Sequence, residues 1–189
     1  NEARIERLAE RLTLASEATG VAIWDLDIAS GKISYDTRIM SLYGLETLDE
    51  DLMKIWAERI QPDEAERNRR QMEHAINGAD EYQGEFQVSL PDNTRRHIEA
   101  RGIVIRDGLG NPVRMVGTNQ DITERKRAEA MRKAREERFR ILVDNAPFPV
   151  LLRDMDGTIL FGNNQALAIF ETNPLELVGK NIRLVYPSE

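Results

Sequence analysis

The residues EYQGEFQVSLPDNTRRHIEARGIVIRD (81–107) decide the class of fold. Tyr82, Gly84, Phe86, Val88 and Leu90 alternate with Gln83, Glu85, Gln87 and Ser89, so a strand here buries one face and wets the other. Pro-Asp-Asn (91–93) supplies a turn, with asparagine tolerating the left-handed conformation. TRRHIEARGIVIRD (94–107) returns as a long strand, GLGN (108–111) turns, and PVRMVGTNQD (112–121) is a third. Alternation sets His97 beside Arg95, Glu99 and Arg101 on the polar face.

Working outward, VAIWDLDI (21–28) places Ala22, Trp24, Leu26 and Ile28 on one face. ASGK turns and ISYD returns, predicting a hairpin over 21–36. From Thr37 to about Gly78 the pattern is helical, broken at Gly44 and Pro62, with Ala65, Met72, Ala75 and Ile76 on one face of the last helix. Residues 1–18 read as an amphipathic helix, with Ile5, Leu8, Leu12 and Ala15 forming one stripe and Gly20 stopping it. The order is helix, two strands, short helices, three strands. Connections this short predict an α+β fold, a five-stranded antiparallel sheet with helices on one face, flanked by the N-terminal helix and a charged helix that follows the last strand.

The chain then repeats itself. WDLDIASGKISY returns as LRDMDGTILF, aligning Asp25 and Asp27 with Asp154 and Asp156, and Ile33 and Tyr35 with Ile159 and Phe161. Upstream, RLTLASEA (11–18) matches RFRILVDN (138–145) in pattern. Four segments follow: the N-terminal helix (1–18), a complete domain (19–123), a charged linker helix (124–145) and the N-terminal half of a second copy (146–189).

Composition narrows the function. At 189 residues, 41% apolar and 31% charged, the chain is globular. The absence of cysteine excludes disulfides, thiolate metal sites, a cysteine nucleophile and a cysteinyl-flavin adduct. No apolar run reaches the ~18 residues of a membrane span, and no signal-peptide pattern opens the chain. The start at Asn1 rather than methionine marks it as a piece of something longer, whose anchor or output domain would lie outside it. A net charge of −7 argues against general nucleic-acid binding. The charge is uneven: residues 124–140 hold eight Lys/Arg against four Glu, a basic helix between acidic parts that reads as a solvated surface.

WDLD, ISYDTRIMSLYG, Trp56 followed by RIQPDE, GEFQVSLPDNTRRHIEARG, DGLGNPVRMVGTNQDIT and the trailing ERKRAE occur in one order over about a hundred residues. Together they resemble a PAS domain, the small sensor module of bacterial signalling proteins. DGTILFGNNQALAIF and PLELVGKNI resemble the first half of another. Two departures stand out: His97 occupies a common tryptophan position, and PDN replaces the usual Pro-Asp-Gly.

The resemblance implies a cytoplasmic signal-input fragment that is not itself an enzyme, from a sensor histidine kinase or else a diguanylate cyclase or phosphodiesterase. In the family, ligand or partner binding shifts the sheet, and the strand-to-helix junction, here Asp121, Ile122 and Thr123, passes the shift on. The rival reading is a ligand-free dimerisation spacer. In either case Ile5, Leu8 and Leu12 are the expected homodimer contact.

Trp24, Tyr43, Trp56, Met72 and Phe86 fall on predicted inward faces. Such a set packs as plain core or surrounds a flavin, an aromatic acid or a fatty acid; no cofactor is specified. His74 lies where haem-binding members carry their ligand, but about 200° from Met72 on a helical wheel, opposite the apolar arc; haem is therefore disfavoured. Two histidines and no cysteine leave little for a transition metal. VLLRDMDGTIL imitates the start of a haloacid-dehalogenase-like phosphatase, with Asp154 as nucleophile and Asp156 as acid/base. Only 33 residues follow Asp156, without the adjacent acidic pair that holds magnesium, so a hairpin turn is the better reading.

In the linker, Asp121 and Glu124 have capping-box spacing, and Glu129–Lys133 and Glu136–Arg140 have i,i+4 order. The positions matching Ile5, Leu8 and Leu12 are Arg132, Arg135 and Phe139, so a coiled coil here would be weak.

Overall fold

The computed structural model describes residues 14, 16, 18–47 and 51–185. It divides into two compact units, Asn1–Arg127 and Ala128–Glu189. The stripe positions Ile5, Leu8 and Leu12 lie outside the described residues.

In the first unit the hairpin forms where alternation places it. β1 (Val21–Asp27) pairs with β2 (Ile33–Tyr35), and Ala22, Trp24 and Leu26 are buried. Asp36 then caps α1 (Thr37–Tyr43) by accepting from the Arg38 and Ile39 amides, and Gly44, at φ 63°, ends it. Asp51 caps α2 (Leu52–Arg59) in the same way, and Pro62 opens α3 (Pro62–His74) as the first helical residue. A single π-helical turn, Ala75–Ala79, leads into the remaining strands.

β3 (Glu81–Ser89) alternates exposed and buried side chains as its sequence does. β4 (Arg95–Arg106) and β5 (Pro112–Asp121) complete an antiparallel sheet of order β2-β1-β5-β4-β3. Asn93, at φ 64°, takes the left-handed position of the β3–β4 turn. The first unit's last strand in chain order is thus its central one, paired to β1 on one side and β4 on the other.

The buried face of the sheet packs against the helices. Trp24, Tyr43, Tyr82, Phe86, Ile98, Val104 and Met115 are core, together with Ile39, Leu42 and Ile55. Two glycines make room: a Cβ on Gly117 would stand 2.2 Å from the Trp24 ring, and one on Gly84 would stand 1.9 Å from the Asn68 amide oxygen. The indole therefore lies on bare backbone.

α4 (Thr123–Asp144) follows β5 and runs across the division between the units. Glu129–Lys133 pairs as its spacing predicts, but Glu136 is taken by Arg132 at 2.6 Å rather than by Arg140. Met131, Phe139 and Leu142 are exposed.

The second unit holds a two-stranded sheet of β6 (Leu151–Arg153) and β7 (Ile159–Gly162), then α5 (Asn164–Ile169), α6 (Pro174–Leu177) and α7 (Ile182–Val185). Its small core is Ile159, Ala166 and Leu177. The internal repeat is visible in the hydrogen bonds. Asp36 in the first unit accepts from the Ile23 amide and caps the following helix, while Asn163 accepts from the Val150 amide and caps α5.

The register of the repeat differs from the sequence alignment. Asp27 and Asp154 are the equivalent pair: each opens its turn, bonding its amide to the carbonyl of Lys32 or Thr158 at 2.9 Å. Their carboxylates accept from the Ser30 and Thr158 amides. Asp25 instead lies within β1 and pairs with Arg114, so aligning it with Asp154 is off by two positions. Two aspartates two apart in both copies make the false register attractive. The Asp154 carboxylate that imitates a phosphatase nucleophile closes a hairpin turn.

Candidate functional site

The five residues expected on inward faces meet around one cavity of about 100 Å³. Trp24, Tyr43, Trp56, Met72 and Phe86 all line it, with Tyr82, Ala100 and Asn119 completing much of the wall. Trp56 and Phe86 pack edge to face at 5.9 Å, and Trp24 and Tyr82 do so at 6.4 Å. Met53 and Arg69, both partly open to solvent, belong to the same lining and mark its solvent side. His74 is exposed and is not among the lining residues.

Two short polar chains cross the wall. The Trp24 indole donates to Asn119 Oδ1 at 2.9 Å, and Asn119 Nδ2 donates to the Tyr43 hydroxyl at 2.7 Å. The Tyr82 hydroxyl donates to Asn68 Oδ1 at 3.2 Å, and Asn68 Nδ2 donates to the carbonyls of Glu64 and Glu85. Burial pushes both phenols well above the usual tyrosine range; the Asn119 amide opposes this at Tyr43. Arg69, the charged member of the lining, is bound to Glu66 at 2.9 Å and to Glu73. Arg69 and Arg70 together hold the Glu66 carboxyl down to about 2.

The sequence singles out neither Asn119 nor Asn68, and it reads Tyr82 as inward-facing without placing it in the cavity set. Asn119 sits at a buried position of β5 where alternation signals only "inward", and its partners lie far away along the chain.

The second site is the exit from β5. Asp121 pairs with Ile98 as the last residue of the strand, and the Ile122 amide still bonds the His97 carbonyl at 2.8 Å. The first helical bond runs from the Lys126 amide to the Ile122 carbonyl at 2.9 Å. Ile122 is therefore the capping position, one residue later than the spacing predicts. Asp121 accepts from the Thr123 amide at 2.9 Å and from its hydroxyl, forming a tight side-chain turn. The Thr123 hydroxyl oxygen also accepts from the His97 amide at 2.9 Å. Glu124, expected to close a capping box, accepts from Arg127 instead.

Further ties join the start of α4 to the sheet. Arg125 meets Glu99 at 3.1 Å, Lys126 meets Glu85, and Arg96 lies 3.6 Å from Asp121. Glu99, assigned by alternation to the wet face, is buried because Arg101 and Arg125 cover it. The outer side of β3 and β4 is thus where the basic helix begins.

Among the described residues no group of three or more His, Cys, Asp or Glu is placed to hold a metal ion. Nor is any helix among them long and apolar enough to cross a membrane.

Comparison with known proteins follows this division. Residues 32–119 match the family described as the PAS fold, and residues 137–188 match a PAS domain family. The sensor protein FixL of Bradyrhizobium diazoefficiens is 28% identical over 182 residues, which is 94% of this chain and 35% of FixL. The probable diguanylate cyclase DgcE of Escherichia coli is 28% identical over 158 residues, 84% of this chain and 14% of that protein. The chain thus spans about a third or less of these curated relatives. Among solved structures, a sensory box histidine kinase/response regulator from Burkholderia thailandensis superposes with a TM-score of 0.57 at 30% identity, covering 69% of this chain and 98% of that one. With the central-strand exit, the helix-covered sheet face and the second copy of the hairpin, these matches establish that the chain belongs to the PAS family of sensory input domains.

Proposed function

We propose that the first unit senses a small ligand or a partner and passes its state through β5 and the Asp121–Ile122–Thr123 junction into α4. The observation that carries this reading is the Trp24–Asn119–Tyr43 chain. It ties the cavity wall to β5 two residues before Asp121, so a change at Tyr43 pulls on the strand that starts the helix. The parent protein on this reading is a cytoplasmic sensor histidine kinase, in line with FixL, or a second-messenger enzyme in line with DgcE. The fragment supplies regulation and the rest of the parent supplies catalysis. Two copies pair through the Ile5, Leu8 and Leu12 stripe.

A ligand-free dimerisation spacer has one observation in its favour: every buried polar side-chain atom among the described residues already has a hydrogen-bond partner. One substitution separates the two readings. Ala100→Val puts two methyl groups into the cavity wall. In the full-length parent, the sensor reading expects the output to lose its response to the signal while keeping basal activity. A normal response would favour the spacer.

A further inference from the structure

The two copies of the hairpin close the same joint with different chemistry. In the first unit Asp36 accepts from the Ile23, Arg38 and Ile39 amides at 3.0–3.2 Å. The Ser16 hydroxyl, which donates to the Val21 carbonyl, lies 3.3 Å from the same carboxylate. All of these partners can give a hydrogen, and a carboxylate can only receive one. In the second unit the equivalent residue is Asn163, and its partners are of both kinds. The Val150 and Ala166 amides donate to its Oδ1 at 2.8 and 3.0 Å, while its Nδ2 donates to the carbonyls of Val143 and Phe148 at 2.9 and 3.0 Å. Asn163 is fully buried, and both hydrogens of its amide and both sides of its oxygen are in use.

The Val143 carbonyl belongs to the last turn of α4, where helical carbonyls have no partner within the helix. One side chain thus holds the end of the linker helix, the connection that follows it, the start of the β6 hairpin and the first turn of α5. That connection, residues 146–150, is five residues long and contains Pro147 and Pro149, whose φ is fixed and which carry no amide hydrogen. It leaves little slack between α4 and the hairpin. The first unit has no such grip on a carbonyl through Asp36, because an ionised carboxylate has no hydrogen to give.

We propose that Asn163 is a positioning residue that passes the placement of α4 to the second unit, its amide gripping the helix end and its oxygen setting α5 and β6. The proposal rests on the sensor reading above and continues its route beyond the linker. A shift of the last turn of α4 moves the Val143 carbonyl. The Asn163 side chain follows it, and the Val150 and Ala166 amides follow the side chain. The difference between Asp36 and Asn163 is then functional: the second copy carries the one residue of this shape that both caps a helix and holds a carbonyl.

Asn163→Asp in the whole chain separates the two halves of this role, because it keeps the accepting oxygen and removes the amide. Amide exchange at Asn145 and Ala146, in and after the last turn of α4, should speed up at least about tenfold, with Ala166 staying within about threefold. Should the added carboxylate prevent the second unit from folding, Asn163→Ser, which still caps, carries the same comparison. Transmission is read separately. Thr123→Val, which loosens the start of α4, should shift the amide NMR signals of Val150 and Ala166, and combining it with the Asn163 variant should remove most of that shift. Equal acceleration at Ala146 and Ala166 would reduce Asn163 to a support of the fold and overturn the proposal. So would an absence of any shift from Thr123→Val, or a shift undiminished in the double variant. The sensor reading fails separately, through a normal signal response of the Ala100→Val parent.

Discussion

Glu85 and Glu99 stand directly opposite each other across the β3–β4 ladder, and the first turn of α4 lays Lys126 on one and Arg125 on the other. Two like charges facing across an antiparallel pair destabilise a sheet. Here consecutive cations of the linker neutralise them, so the sheet gains from having the helix start at this place. The basic run after Asp121 is therefore a docking element in its first turn and a solvent-facing surface beyond it.

Reversing one charge should loosen that docking. Arg125→Glu would put three carboxylates together, with Arg101 the remaining cation on Glu99. We expect a loss of about 1–2 kcal/mol in urea unfolding, because Glu99 is buried while Arg125 is half-exposed. Amide exchange at Thr123–Arg127 should speed up, and adding Glu99→Arg should recover at least half the loss. Exchange unchanged in the single variant would show that the pair does not hold the turn.

Within the junction, Thr123 should matter more than Asp121. Asp121→Ala removes the hydrogen bonds of an exposed carboxylate to Thr123, worth about 1 kcal/mol. Thr123→Val removes the acceptor for the His97 amide and the hydroxyl that bonds Asp121 in one change. At a buried residue that should cost about 2–3 kcal/mol, with faster exchange of the His97 amide as its signature. Equal costs for the two substitutions would put the Asp121–Thr123 turn, not the bridge to β4, at the centre of the junction.

The sheet was legible because alternation is a local signal: Tyr82, Phe86 and Val88 announce their face within a few residues. The cavity set was legible for the same reason, since Trp24, Tyr43 and Phe86 each sit on a face that their own element defines. The helix start was read one residue early because the Ile122 amide is still claimed by the His97 carbonyl, a bond between distant segments. Glu99 was placed on the wet face because nothing near it in sequence shows that Arg125 covers it. Asn119 was missed because asparagine at an inward strand position has no local meaning until Trp24 and Tyr43 arrive as its partners.

Gly117 should tolerate no side chain. A Cβ there would lie 2.2 Å from the Trp24 ring and 2.3 Å from the Arg101 carbonyl oxygen, and backbone cannot step aside. Gly117→Ala should therefore cost about 3 kcal/mol, at the upper end of overpacking penalties. Gly102→Ala, whose nearest contact is 3.0 Å, should cost less. Urea midpoints with tryptophan fluorescence give the comparison, and equal costs would mean that Trp24 moves away freely.

Alkaline pH should unfold the first unit through its buried phenols. Burial raises the pKa of Tyr43 and Tyr82 above the ordinary 10.0, so the unfolded chain releases these protons first. The folded state keeps its full stability below pH 10 and loses it as the pH rises further. Each phenol that stays protonated in the fold contributes a slope of about −1.4 kcal/mol per pH unit there. Tyr43→Phe should remove one such contribution, and adding Tyr82→Phe should remove the second. Urea titrations at a series of pH values above 10, comparing both variants with the parent chain, measure the slopes. A Tyr43→Phe slope equal to that of the parent chain would mean that the Tyr43 hydroxyl ionises in place, and that the wall around it admits charge after all.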